Sequence, residues 1–200
     1  VKKVLGVSLD EIGIGLINIG SVGFENVACI FDESRLQRKC SIITDLDAVI
    51  NDAKKSKPTA MKQGASREEK LSKLFDENPY VNAFYAPHTL EVDFASEECN
   101  KEFVYTVIKN TYKDNDVIEE HISAIKSGTE AERYDSVMTV ASNIKKGWYA
   151  TLLAETIDGR AIIPMYILDA IVFAAKDILS EKLLWKMVQY SFAKYDIGSD

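Results

Sequence analysis

The short apolar run Cys40–Thr44 leads directly into two acids, and this junction constrains the fold of the chain most. An apolar run of this length is typical of a buried strand. Asp45 and Asp47 follow at positions i and i+2, so both lie at the carboxyl end of the predicted strand. Ligands of open parallel sheets bind at that edge. The junction therefore predicts an α/β fold with a functional crevice at the carboxyl end of this strand.

Other apolar segments predict the elements around this strand. Gly15–Gly20, an apolar run closed by glycine, predicts another buried strand, and the apolar spacing in Phe24–Asp32 predicts a helix. Strand, helix and strand in this order predict a parallel βαβ unit. Tyr80–Tyr85 is predicted to form a third strand, which Pro87 ends.

Helix starts are marked by capping and proline signals. Residues 51–64 contain several lysines and few large apolar side chains, so a mobile loop is predicted there. A capping-box pattern at Ser66–Glu69 predicts that a helix begins after this loop, and a second box spans Thr129–Glu132. Pro164 suits the first position of an apolar helix.

The two halves of the chain differ in pattern. Strands and helices alternate at first, whereas helical spacing continues from Leu90 to the end. The prediction is an α/β core over residues 1–96 and a helical part over residues 97–200 that completes the same domain. The segment Leu183–Tyr190 has more than one apolar face, which can pack on this core, on an upstream domain or on a second subunit.

The composition is that of a water-soluble globular chain, with 46 % apolar residues, 28 % charged residues and a net charge of −7. Recurring apolar residues exclude disorder as the dominant state, and the acidic total argues against binding nucleic acid by bulk charge. Three cysteines without CxxC spacing argue against a disulfide scaffold or a zinc ribbon. Without a signal-peptide core or an apolar stretch of about 20 residues, the predicted location is cytoplasmic, with no membrane partner.

The two acids after Thr44 are candidate metal ligands. Hard carboxylate oxygens at a strand end suit Mg²⁺ or Mn²⁺. The alternative is that Asp45 caps a turn and Asp47 is solvated. Glu91 follows the third predicted strand, so it can complete a cluster with them. The helix dipole alone could also favour Glu91 and its neighbour Asp93, with Thr89 as the N-cap.

Basic side chains supply two further candidate features. Lys145 and Lys146 begin a predicted helix, where they could stabilise negative charge on a phosphate; a solvated pair is the alternative. Residues 51–76 hold seven basic against four acidic side chains and could track a DNA backbone, or they could be plain solvated surface. The candidate DNA-binding residues are Lys54, Lys55, Lys57, Lys62 and Arg67.

Taken in order, these segments resemble the Toprim nuclease domain of the OLD (overcoming lysogenization defect) family. That family includes the GajA-like nucleases of Gabija anti-phage defence systems. The matching segments are Asn18–Gly20 followed by Phe24, Ile43–Ala48, Gly64–Arg67, Thr89–Ala95, Lys146–Ala150 and Ile163–Ile167. The resemblance covers nearly the whole chain, and it implies a Toprim-like parallel sheet flanked by helices.

The resemblance also implies an activity, which is metal-dependent cleavage of DNA. Asp45, Asp47 and Glu91 would hold one or two Mg²⁺ or Mn²⁺ ions. Lys146 would be the catalytic lysine, with Lys145 as the close alternative. Asp93 and Asp52 are weaker candidates for an outer-shell role, and His88 is expected to be structural or a phosphate contact.

The family also implies partners. These are DNA, an upstream ATPase domain that would bring the ATP dependence, a second copy of the chain, and a helicase-like defence protein. The pattern departs from the family at one point, because no Val-Glu-Gly motif precedes Gly13. Either the sequence begins just after that strand, which the missing initiator Met favours, or the protein is an inactive module for interaction and oligomerisation. A receiver-like phosphotransfer domain fits the helical second half poorly.

Overall fold

The computed structural model of the chain describes residues 1–20, 23–176, 185, 187 and 189–190. Two strands form its sheet, β1 (Cys40–Asp45) and β2 (Val81–Ala86). The helices are α1 (Lys2–Leu5), α2 (Glu25–Ala28), α3 (Pro58–Phe75), α4 (Leu90–Ser96), α5 (Lys101–Thr111), α6 (Asn115–Ser127), α7 (Glu130–Ile144), α8 (Lys146–Thr156) and α9 (Met165–Ala175). Short 3-10 turns lie at Asp10–Ile12 and Glu98–Asn100.

The sheet is a parallel pair joined by a helix. The Cys40 N–H donates to the Tyr80 carbonyl at 2.8 Å, and the Leu46 N–H donates to the Ala86 carbonyl at 2.8 Å, so the two strands run in the same direction. The predicted strands at 40–44 and 80–85 are confirmed to within one residue at each end. The βαβ unit is therefore formed by β1, α3 and β2.

The predicted strand Gly15–Gly20 is wrong. Those residues form no strand, and the side chains of Leu16 and Ile17 are 81 % and 66 % exposed. The βαβ unit predicted from this run fails with it, because an isolated apolar run has no backbone partner to pair with. The helix predicted over Phe24–Asp32 is also shorter, since α2 covers only Glu25–Ala28.

The predicted loop over residues 51–64 is wrong from Pro58 onward. Helix α3 begins there, so Ser66 lies inside the helix and its capping-box pattern marks no start. Proline is favoured at the first helical position because its missing N–H has no partner in the first turn. Pro58 is therefore the start signal.

The helical second half is confirmed. Thr129 and Glu132 form the predicted capping box at the start of α7, with the Thr129 hydroxyl accepting from the Glu132 N–H and the Glu132 carboxylate accepting from the Thr129 N–H. Pro164 stands immediately before α9. The predicted packing segment Leu183–Tyr190 lies largely outside the described residues.

The chain divides into two compact units. The first comprises residues 1–44, 65–85 and 163–200, and one of its cores contains Ile42, Leu71 and Val81. The second comprises residues 45–64 and 86–162, and its fully buried side chains include Val104, Ile108, Val137 and Val140. The division into residues 1–96 and 97–200 stays a prediction. None of the helices in the described part of the chain has the length and apolarity that a bilayer crossing requires.

Candidate functional site

The DxD turn, residues 45–48, is held by backbone hydrogen bonds beyond the end of β1. The Leu46, Asp47 and Ala48 N–H groups donate to the carbonyls of Ala86, His88 and Pro87, at 2.8, 3.3 and 2.9 Å. Asp47 has φ 52°, in the left-handed region that non-glycine residues rarely adopt. This strain is maintained by the surrounding bonds, which is typical of residues at functional sites.

Helix α3 approaches the same turn closely at Gly64. A Cβ atom added there would overlap the Leu46 carbonyl oxygen, so no larger residue fits without a shift. Glycine thus lets the helix backbone contact the turn between Asp45 and Asp47. The sequence marks Gly64 only as part of the family resemblance, and its packing role emerges from the structure.

Asp45 lies within the electrostatic range of the other candidate acids. Its carboxyl pKa is raised to about 6, first by burial and then by the charge of Asp47. Lys146 opposes this increase, while Glu91 and Asp93 add to it. The structure therefore brings these five side chains into one neighbourhood of the second unit.

Glu91 and Lys146 form an ion pair within this group. Glu91 lies in the first turn of α4 with its side chain 12 % exposed, and its Oε2 is 3.4 Å from the Lys146 Nζ. Lys146 begins α8 and its side chain is 48 % exposed. The contact joins residues 55 positions apart, so the fold brings the candidate lysine to the candidate acid.

The neighbouring Lys145 has a different environment. It is exposed and forms the junction between α7 and α8 with φ 71° and ψ 128°, a conformation adopted mainly by glycine. In the described residues no ion pair is formed by its ammonium. Of the two candidate lysines, Lys146 is thus the one placed beside the acids.

His88 links the DxD turn to α4. Its ring Nδ1 lies 2.9 Å from the Ala48 carbonyl oxygen, and since that oxygen only accepts, Nδ1 carries the proton. Its backbone N–H donates to the Asp93 carboxylate at 3.3 Å. Burial raises the pKa of Asp93 to about 6. These contacts agree with the structural role expected for His88.

The helix-dipole interpretation of α4 also has support. Thr89 occupies the N-cap position, and Glu91 and Asp93 lie in the first turn. The Thr89 hydroxyl makes no capping bond, however. It is buried and donates to the Met138 sulfur at 3.7 Å.

Asp52 lies outside this group of side chains. It is exposed with φ 65°, and it is not among the charges that act on Asp45.

The basic segment, residues 51–76, is anchored through its backbone. The Lys54 and Lys55 N–H groups donate to the two oxygens of Asp135, at 2.9 and 2.8 Å. The side chains of Lys54, Lys55, Lys57 and Lys62 are exposed or half-exposed. Arg67 is half-buried on α3 and belongs to the other compact unit. Sequence reasoning found the lysines but missed Asp135, for which the local pattern gives no signal.

The donor set fits a hard divalent cation by its chemistry. Carboxylate oxygens are the ligands that Mg²⁺ and Mn²⁺ prefer, and an added cation would offset the carboxylate repulsion that, after burial, raises the pKa of Asp45. The positions of the acids do not yet form a ligand set. Within the described ranges, no three His, Cys, Asp or Glu side chains group closely enough to hold a metal ion.

Comparison with known proteins gives a match in structure. No protein-family model matches the chain, and no curated protein matches it in sequence. The structure is similar to the C-terminal region of the Burkholderia pseudomallei OLD protein, with a TM-score of 0.65 and 19 % identity over 89 % of each chain. The chain has the fold of an OLD C-terminal region. The predicted α/β, Toprim-like fold with a helical second half is thereby confirmed, and the OLD likeness extends through both halves of the sequence.

Proposed function

We propose that this chain is the Toprim part of a divalent-metal-dependent DNA endonuclease of the OLD and GajA-like type, acting in anti-phage defence. The observation that carries the proposal is the Lys146 ammonium placed 3.4 Å from Glu91, in the neighbourhood of Asp45 and Asp47. Acids and a lysine around one site are the groups that metal-assisted phosphodiester hydrolysis needs. The likeness in fold to the Burkholderia OLD region supports the same class.

Each candidate side chain has a role in this proposal. Asp45, Asp47 and Glu91 would hold one or two Mg²⁺ or Mn²⁺ ions, which when bound polarise a phosphate and lower the pKa of water. Lys146 is half-exposed beside these acids, so its ammonium can reach a phosphate oxygen and stabilise negative charge in the transition state. His88 holds the turn that carries Asp47.

DNA would be bound through its backbone. The ammonium groups of Lys54, Lys55, Lys57 and Lys62 can pair with phosphates, and this contact carries no base information. The remaining partners are also part of the proposal. They are an upstream ATPase domain of the same protein, a second copy of the chain and a helicase-like defence protein.

A second candidate function is a catalytically silent module for interaction or oligomerisation in a larger complex. One observation favours it. Within the described residues, the acids do not group closely enough to hold a metal ion. The two functions divide on metal binding and on cleavage, so one set of assays separates them.

Plasmid nicking with Mg²⁺ or Mn²⁺ tests the proposal. We expect the wild type to nick supercoiled DNA, and Lys146→Met or Asp45→Asn to lower the rate by about 10²–10³-fold, as for removal of a transition-state interaction. Lys109→Met, which removes an exposed lysine on α5, is the matched control and should leave the rate unchanged. Full activity in both site variants would refute the assignment of residues. Absence of nicking and of metal binding in the wild type would favour the interaction module.

A further inference from the structure

Tyr149 is a buried tyrosine whose hydroxyl has no hydrogen-bond partner. Its side chain is fully buried in α8, and its Oη makes no hydrogen bond within the described part of the chain. A buried donor left in this state costs free energy, and such groups in a stable fold call for an explanation. Phenylalanine would fill nearly the same volume without that cost, so packing alone does not account for the hydroxyl.

The position of Tyr149 relates it to the candidate site. It follows Lys146 by three residues, so the two side chains lie on neighbouring parts of the same face of α8. Lys146 is the residue that contacts Glu91. The charge of Glu91 also acts on Tyr149 and adds to the effect of burial, which raises the pKa of the phenol well above its usual range. The phenol therefore keeps its proton and remains a donor.

A second buried tyrosine shows what a satisfied hydroxyl looks like in this unit. Tyr134 on α7 is 5 % exposed, and the Ser56 side chain lies within hydrogen-bonding reach of its hydroxyl. This contact joins residues 51–76 to α7. Tyr149 is buried more completely, and its hydroxyl has no such partner in the described residues. Glu91 is the acid whose charge acts on it.

We propose that Tyr149 is a positioning residue of the metal site, whose hydroxyl donates a hydrogen bond to Glu91 when that carboxylate turns from Lys146 towards a divalent ion. The inference rests on the proposed function, because it assumes that Glu91 is a metal ligand. Ligating carboxylates are commonly oriented by such outer partners. The hydroxyl that lacks a partner here would then donate its hydrogen bond only in the metal-bound form.

The test compares Tyr149→Phe with the wild type in two measurements, Mn²⁺ binding followed by electron paramagnetic resonance and thermal unfolding without metal. We expect Mn²⁺ affinity to fall by about tenfold, the lower range for loss of an outer partner. The melting temperature should stay equal or rise, because the variant lacks the unsatisfied donor. Tyr105→Phe, at a buried tyrosine of α5, should leave Mn²⁺ affinity unchanged.

A double variant separates the proposed hydrogen bond from a change in packing, again by Mn²⁺ affinity. In a Glu91→Ala background, Tyr149→Phe should cause no further loss of Mn²⁺ affinity, because alanine removes the oxygen that would accept from the Tyr149 hydroxyl. Unchanged Mn²⁺ affinity in Tyr149→Phe would overturn the inference and leave the proposed function standing. A clear loss of thermal stability would also overturn it, by showing that the hydroxyl is bonded within the metal-free fold. If the wild type binds no Mn²⁺, the proposed function fails, and the role of Tyr149 fails with it.

Discussion

The DxD turn and the junction at Lys145 present opposite charges within one compact unit, and each contains a non-glycine residue at positive φ. The turn is held from outside, by three hydrogen bonds to residues 86–88 and by the close approach of Gly64. The junction is held by nearby bonds, in which the Lys145 N–H donates to the Ser142 carbonyl and the Tyr149 N–H donates to the Lys145 carbonyl.

This difference separates a fixed part of the site from an adjustable one. Asp45 and Asp47 are attached to backbone that cannot move without disturbing residues 86–88 or the helix turn at Gly64. Lys146 is attached to a strained helix start and reaches Glu91 with a flexible, half-exposed side chain. In the proposed nuclease, a site of this kind would keep Asp45 and Asp47 in place while the Lys146 side chain moves between Glu91 and a phosphate. Four predictions test the contrast, from the largest expected effect to the smallest.

Gly64→Ala should have the largest effect on the fixed part. The new methyl group meets the Leu46 backbone oxygen, so α3 or the turn must shift, which costs about 2–3 kcal/mol of unfolding free energy. Chemical denaturation measures this decrease. Gly147→Ala on α8 is the matched control, since a Cβ there meets nothing within 4 Å and should raise stability by about 0.5–1 kcal/mol. Equal effects of the two changes would show that the turn is not tightly packed.

Asp45→Asn should stabilise the metal-free protein at neutral pH. The pKa of Asp45 is about 6 in the fold against an ordinary 3.8, so its contribution to stability is complete below about pH 4 and is lost as the pH rises through about 6. The stability advantage of the variant should therefore increase over that window. After discounting for partial exposure, we expect about 1–2 kcal/mol. Denaturation at several pH values measures it, and an advantage independent of pH would contradict the prediction.

Lys145→Gly should relieve strain at the adjustable part. Glycine adopts φ 71° without a Cβ clash, so the unfolding free energy should rise by about 1 kcal/mol, less the extra entropy of glycine in the unfolded chain. Lys145→Ala keeps the Cβ and removes only the charge, which makes it the control. If alanine stabilises as much as glycine, the effect comes from charge and the backbone is not strained.

Single alanine substitutions at Lys54, Lys55, Lys57 or Lys62 should have the smallest effects. Removing one lysine–phosphate ion pair should weaken DNA binding a few-fold and reduce the slope of log affinity against log salt by about 0.9. Fluorescence anisotropy at several salt concentrations measures the slope. Lys126→Ala on α6 serves as the control, and a slope unaffected by the four substitutions would remove the segment from the DNA interface.

The sequence predicted best where local pattern decides the structure. β1 and β2 are apolar runs of strand length closed by polar residues or proline, and they pair with each other. The Thr129 capping box depends on residues only three positions apart. The candidate acids follow from the ends of these strands, so their shared neighbourhood could be anticipated.

The errors arise where neighbours distant in sequence decide. Gly15–Gly20 has strand composition but no strand to pair with, and its Leu16 is exposed. The strain at Lys145 and the unpartnered hydroxyl of Tyr149 are consequences of how α8 packs. No window of sequence around them reveals either. The start of α3 is different, since Pro58 was a local signal that the lysine-rich composition obscured.

The chain passes between its two compact units after residues 44, 64, 85 and 162. During synthesis, Asp45, Asp47 and Glu91 leave the ribosome well before Lys146 and Tyr149. A chain that ends early therefore carries the acids without Lys146, whose ammonium pairs with Glu91. The nuclease site proposed above would therefore be complete only in products translated beyond α8.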